Sequence, residues 1–144
     1  MTEKMKITEN LIALAERGTF RELTDSLPGS DVVLLSIIAR RAGSADGKIR
    51  MTEISREMNI SKPAATQAVS RLCRHGYAVR EAGSDKRTIC VAITPEGEKY
   101  YKRRIAATEK TVAGIIEKMG EEDAVTFFRL FASFADALAP EENV

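Results

Sequence analysis

The 144-residue sequence predicts a mainly α fold with a small β-hairpin, an α+β arrangement. Three observations carry that expectation. Two short helical patterns meet head to tail around Asn59-Ile60, each with its own start and stop signals. Residues 77–81 and 88–93 then alternate in part (Val79; Ile89, Val91, Ile93) and are joined by a polar tip, 82–87, with a glycine in it. Amphipathic helical patterns occupy both ends of the chain.

From the start, residues 4–17 read as a helix with Met5, Leu11, Ile12, Leu14 and Ala15 on one stripe and Gly18 as terminator. Thr19 with Glu22 forms a capping box, so a short second helix is expected from Phe20 to about Leu27 before Pro28-Gly29. Ser30-Asp31 is expected to cap a third helix, Val32 to Ala42, apolar nearly all round and therefore central. Lys48-Ile49-Arg50 suits a short strand. Thr52 is expected to cap the helix Glu53 to Met58, with Ile54 and Met58 one turn apart and facing inward. Ser61 is a strong N-cap for the next helix and Pro63 fits its first turn, where no backbone N–H is missed. Gly76 ends it. Thr94, Pro95 and Glu96 start a long helix running to about Met119, and Gly120 breaks it. The last helix, Glu121 to Leu138, opens with three acids and carries Phe127, Phe128, Phe131, Phe134 and Leu138 on one face.

Composition excludes several classes. The longest apolar run, Val32 to Leu35, falls far short of the roughly 20 residues of a membrane span. The polar N-terminus lacks a secretory signal pattern, so a cytoplasmic location is expected. Two cysteines, Cys73 and Cys90, are too few for a disulfide framework and read as small buried hydrophobes. The single histidine, His75, lies two residues from Cys73 on a helix; the two point about 200° apart and cannot share an ion or act as a nucleophile–base pair. No metal-ligand motif, phosphate loop or catalytic constellation stands out, so no cofactor, no metal and no enzyme activity is expected.

Net charge is +1, but its distribution is uneven. Lys62, Arg71, Arg74, Arg80, Lys86 and Arg87 face only Glu81 and Asp85 in the central stretch, whereas the segment after Gly120 is acidic. On the helix that Ser61 starts, Ala65, Ala68, Val69 and Leu72 form the apolar side. Pro63, Thr66, Gln67, Ser70 and Arg74 form the opposite side, flanked by Arg71, with no carboxylate among them. Such a face suits the major groove of DNA, where side chains must reach base edges and phosphates.

The helix-turn-helix, the hairpin with Asp85-Lys86-Arg87 at its tip, and Val91-Ala92-Ile93-Thr94-Pro95-Glu96-Gly97 together resemble the MarR (multiple antibiotic resistance regulator) family. That family shows an Asp-x-Arg element in its wing and a strand ending in Leu-Thr-Pro-Glu-Gly; here Ile93 replaces the leucine. The resemblance covers roughly Val32 to Arg104 in detail. It implies a winged helix-turn-helix in a homodimer whose N- and C-terminal helices form a dimerisation domain. The expected divisions are 1–30, dimerisation helices; 31–94, the DNA-binding winged helix; and 95–144, a long linker helix with a C-terminal dimerisation helix. Leu11, Ile12, Phe127, Phe128, Phe131, Phe134 and Leu138 are then dimer contacts.

The implied function is sequence-specific binding of duplex DNA at a pseudo-palindromic operator, as a transcriptional regulator and a repressor by preference. Thr66, Gln67 and Ser70 are candidates for base edges, and Arg71 and Arg74 for guanine or phosphate, unless Arg71 pairs with Glu53 or Glu57. Thr52, Ser61 and Lys62 sit where phosphates would pass, Ser61 and Lys62 at a helix N-terminus, and Pro63 belongs to the DNA-facing side. By the resemblance, Arg87 enters the minor groove, oriented by a salt bridge to Asp85, with Lys86 on the backbone. A small anionic or phenolic effector is a further implied partner; Tyr100, Tyr101, Arg40 and Arg41 are candidates to line its site or to serve structure. The alternatives are a winged helix that binds protein, or a metal- or redox-responsive sensor built on Cys73, His75 and Cys90.

Overall fold

The computed structural model describes residues 2–19, 21–22, 29–44 and 46–139. Among them are α1 (Glu3–Glu16), α2 (Ser30–Ala42), β1 (Ile49–Arg50), α3 (Met51–Met58), α4 (Lys62–Arg74), β2 (Ala78–Ala82), β3 (Ile89–Ile93), α5 (Pro95–Met119) and α6 (Glu121–Leu138). This is the mainly helical α+β architecture that the sequence predicts, a winged helix with flanking helices. The chain divides into two compact units, Met1–Thr108 and Glu109–Val144.

The core of the first unit is built on α2, whose Leu34, Leu35 and Ile38 are fully buried. They pack with Ile54 of α3, with Ala65, Val69 and Leu72 of α4, and with Ile49 and Val91 of the sheet. Burial of Leu34, Leu35 and Ile38 alone contributes roughly 1.5–3 kcal/mol each. The sheet is antiparallel in the order β1-β3-β2. Val91 on the middle strand lies between Ile49 and Arg80, so the hairpin is sewn to the helix-turn-helix through β1.

Two predicted caps are corrected. Gly29, not the Ser30-Asp31 pair, is the N-cap of α2, and Ser30 is already helical. Asp31 is instead the acceptor for the Tyr100 hydroxyl at 3.1 Å, and Tyr100 stacks on Tyr77 at 4.4 Å. Burial, then the Asp31 hydrogen bond, pushes the Tyr100 hydroxyl above its ordinary range. Likewise α3 begins at Met51 with Arg50 as N-cap, because β1 runs straight into the helix; Thr52 sits one residue inside the first turn. On the hairpin, Val79 and Ile89 face solvent, 41% and 54% exposed, whereas Cys90 and Val91 of the middle strand are buried. Of the expected helix from Phe20 to Leu27, Arg21 and Glu22 are helical and the rest lies outside the described residues.

The start of α5 is set by backbone geometry. Thr94 Oγ1 donates to Gly76 O at 2.6 Å and accepts from Gly97 N at 3.0 Å, while Thr94 N donates to Tyr77 O at 3.1 Å. Gly97 is buried, and a Cβ there would collide with the Tyr77 carbonyl oxygen. The Thr94-Pro95-Glu96-Gly97 stretch therefore combines a cap, a first-turn proline and the glycine that close approach requires.

In α1 no residue is buried, and Leu11 and Ile12 are 38% and 54% exposed. In the second unit, Phe127, Phe128, Phe131 and Phe134 of α6 are each between 41% and 48% exposed. Their rings meet one another: Phe127 meets Phe128 edge-on at 5.4 Å and stacks with Phe131 at 5.7 Å, and Phe131 stacks with Phe134 at 6.3 Å.

Candidate nucleic-acid interface

The turn before α4 is closed by Asn59 in the left-handed conformation, φ +52°, a region that Asn tolerates better than most residues. The Ser55 hydroxyl donates to Ile60 O at 2.8 Å, and Ile60 N donates to Ser55 O at 3.1 Å. Ser61 then caps α4 as predicted, its Oγ accepting from Ala64 N at 3.2 Å. With Ala65, Ala68, Val69 and Leu72 turned into the core, the opposite side faces out. Thr66, Gln67, Ser70, Arg71 and Arg74 line one shallow recess of about 450 Å³. Thr52, Ser61, Lys62 and Pro63 are not part of that recess; Ser61, Lys62 and Pro63 are exposed at the start of α4, and Thr52 is exposed on the first turn of α3.

The electrostatics of this face are one-sided. No carboxylate lies on α4. The acids that might have neutralised it are engaged elsewhere: Glu53 pairs with Arg41 at 2.7 Å and Glu57 with Arg40 at 3.3 Å. Arg71 therefore pairs with neither, and Arg40 and Arg41 serve to clasp α2 to α3. The hydroxyls are less available than the sequence suggests. Thr66 Oγ1 donates to Lys62 O at 3.0 Å and Ser70 Oγ to Thr66 O at 2.9 Å, one turn back along the helix. Among the described residues, the heads of Gln67, Arg71 and Arg74 have no such partner.

The hairpin tip is ordered by Asp85. Its Oδ1 accepts from the backbone N–H groups of Arg87 (3.2 Å) and Thr88 (3.0 Å), and its Oδ2 accepts from the Thr88 hydroxyl at 2.7 Å. The Thr88 hydroxyl foremost, then these N–H groups, holds the Asp85 carboxyl below its ordinary range. The expected salt bridge to the Arg87 guanidinium is replaced by these bonds to the loop backbone, which leaves the exposed Arg87 and Lys86 side chains outward. Lys86 adopts φ +59° to complete the turn.

Two residues that the sequence reading did not select shape the site. Arg80 on β2 donates to Ser70 Oγ at 2.7 Å and to Thr66 O at 3.4 Å. Lys48 pairs with Glu81 at 2.9 Å and bracing by this bond raises its pKa. Period-two alternation would have found the first: Arg80 lies two residues from buried Ala78, on the side of the strand that meets α4.

Residues 25–88 match the MarR family. The winged helix of this chain is thus similar to that of the MarR family. The Bacillus subtilis (strain 168) HTH-type transcriptional regulator YwoH is 31% identical over 88 residues, which cover 61% of this chain. The match spans 64% of that relative's length. The fold is shared with wild-type MarR from E. coli in its apo form: TM-score 0.65, 17% identity, 88% of this chain and 94% of the other covered. It is also shared with NadR in complex with 4-hydroxyphenylacetate: TM-score 0.58, 20% identity, 96% of this chain and all of the other covered. In this fold α4 is the second helix of the helix-turn-helix and the β2–β3 hairpin is the wing.

Proposed function

We propose that this MarR-family protein is a sequence-specific DNA-binding regulator of transcription, a homodimeric repressor acting on a pseudo-palindromic operator in the cytoplasm. The observation that carries the reading is the outward face of α4: Gln67, Arg71 and Arg74 exposed around one recess, with no carboxylate on the helix. Gln67 suits adenine, and either arginine suits guanine or phosphate. Ser61, Lys62 and Pro63 bring the positive end of α4 to a phosphate, with Thr52 beside the same backbone. Thr66 contributes by shape and by exchanging its internal hydrogen bond for DNA, and Ser70 contributes by shape. At the wing, Asp85 sets the loop from which Lys86 meets the backbone and Arg87 enters the minor groove.

The segments 1–30 and 95–144 hold the dimer together around the 31–94 winged helix. Exposed Leu11, Ile12, Phe127, Phe128, Phe131, Phe134 and Leu138 support this, because apolar stripes of that extent need a covering surface. A second copy supplies a self-complementary one. A small anionic or phenolic effector releases the operator, a reading supported by the NadR complex with 4-hydroxyphenylacetate.

The test is selection from a random duplex library, followed by salt titration of the enriched duplex against Arg87→Ala. The expected result is a pseudo-palindrome bound by a dimer, with affinity falling steeply in salt and weakened by the substitution. A folded dimer that enriches no duplex, with or without phenolic acids present, refutes the reading.

A further inference from the structure

Arg80 is the cation of the 62–87 stretch that ties the two halves of the interface together. Its guanidinium donates to Ser70 Oγ at 2.7 Å and to Thr66 O at 3.4 Å, so a wing strand grips the middle of the recognition helix. The polarity of the Ser70 hydroxyl is settled by its neighbours. Its proton goes to Thr66 O at 2.9 Å, which leaves a lone pair for Arg80. A charged donor makes this the strongest class of neutral-acceptor bond, and the planar fork holds its direction.

The grip is matched on the other side of the strand. Residue 81 points opposite to residue 80, and Glu81 pairs with Lys48 at 2.9 Å, while Lys48 Nζ also reaches Ala82 O at 3.3 Å. Successive residues of β2 therefore fasten it to the recognition helix and to the residue before β1. Two residues further along begins the polar tip that bears Arg87. We propose that Arg80 is a positioning residue for DNA recognition: through Ser70 it fixes the wing relative to α4, so that helix and wing tip meet adjacent grooves of one duplex at a set separation. The inference rests on the DNA-binding reading above. It assigns the Arg80 head to the protein and not to a phosphate.

The experiment uses the full-length protein and the duplex it enriches. Affinities are measured for Arg80→Met, Ser70→Ala, Arg87→Ala and the Arg80→Met/Arg87→Ala pair. In parallel, hydroxyl-radical cleavage reports the minor groove and guanine N7 methylation reports the major groove. Arg80→Met and Arg87→Ala are each expected to weaken binding about tenfold, and the pair also about tenfold, because both remove the same wing contact. Ser70→Ala is expected to weaken protection under the wing in the same way. Arg80→Met loses minor-groove protection and keeps protection of guanine N7. A pair weakened about a hundredfold would mean that Arg80 contacts DNA independently and would overturn the inference. So would an Arg80→Met protein that binds like the parent, or one that loses both protections together, as general loosening predicts. If the parent itself enriches no duplex, the DNA-binding reading fails first.

Discussion

Replacing Gly97 by alanine tests the junction between the winged helix and its long helix. The added Cβ collides with Tyr77 O and lies 2.9 Å from Ile93 Cγ1. The carbonyl cannot step aside freely, because it accepts from Thr94 N at 3.1 Å and its residue donates from Tyr77 N to Leu72 O at 2.9 Å. Overpacking of this kind costs about 1–3 kcal/mol, and disturbing the Thr94 cap and the Thr94–Tyr77 bond costs about 1 kcal/mol each. Alanine returns about 1 kcal/mol of helix propensity. The net loss is about 3 kcal/mol, which lowers the midpoint of thermal unfolding by roughly 12 °C for a unit of this size. Far-UV circular dichroism on heating measures it. Gly114→Ala is the internal control: it lies in the same helix with nothing within 4 Å of an added Cβ, and should gain about 0.5–1 kcal/mol. A Gly97→Ala protein melting within about 3 °C of its parent would refute the close-approach argument.

Ser61→Ala removes the cap of α4 and should lower stability by about 1 kcal/mol in the same melt, with weaker operator binding beyond that loss. The wing tip should respond to acid in one direction. The Asp85 carboxyl is held low in the folded state, so its ordering effect is complete at neutral pH and disappears as pH falls through that lowered value. The Thr88 amide proton shift should hold steady through the pH range in which an ordinary aspartate titrates and move only below it. Phe131→Glu should turn a dimer into a monomer in light scattering, while the winged helix keeps its circular dichroism signature. Cys90, only 4% exposed, should react with iodoacetamide far more slowly than half-buried Cys73; equal rates would contradict the burial of the middle strand.

The sequence made the helix-turn-helix legible because each boundary there has a local physical cause. Ser61 accepts a bond from its own helix, Pro63 needs no donor, and four apolar residues of α4 recur at helical spacing. Thr94 and Gly97 were readable as a cap and as a family motif, but not as a contact with Tyr77, since that contact joins residues 20 apart and involves no side chain of Gly97. The two misplaced caps share a cause. Gly29 and Arg50 start their helices by extended backbone conformation alone, so the nearest Ser, Asp or Thr attracted the assignment. Asp85 reads from the sequence as the residue that orients Arg87 by a salt bridge, but its partners are the backbone N–H groups of Arg87 and Thr88 and the Thr88 hydroxyl, not the Arg87 guanidinium. Arg80 is visible in the sequence as one cation of the 62–87 stretch but not as part of the site, because its partner Ser70 lies ten residues away on the helix that packs against the strand.

Thr94 makes four bonds, all with main-chain atoms, those of Gly76, Tyr77, Gly97 and Glu98. Its fit is therefore indifferent to the side chains that decorate α4. An engineer can exchange Gln67, Arg71 and Arg74 for other residues without altering this joint, so long as Ser70 and Arg80 stay together. The chain is thereby a chassis for variation: the exposed letters of α4 sit on one surface, and the joint that holds them is written in backbone.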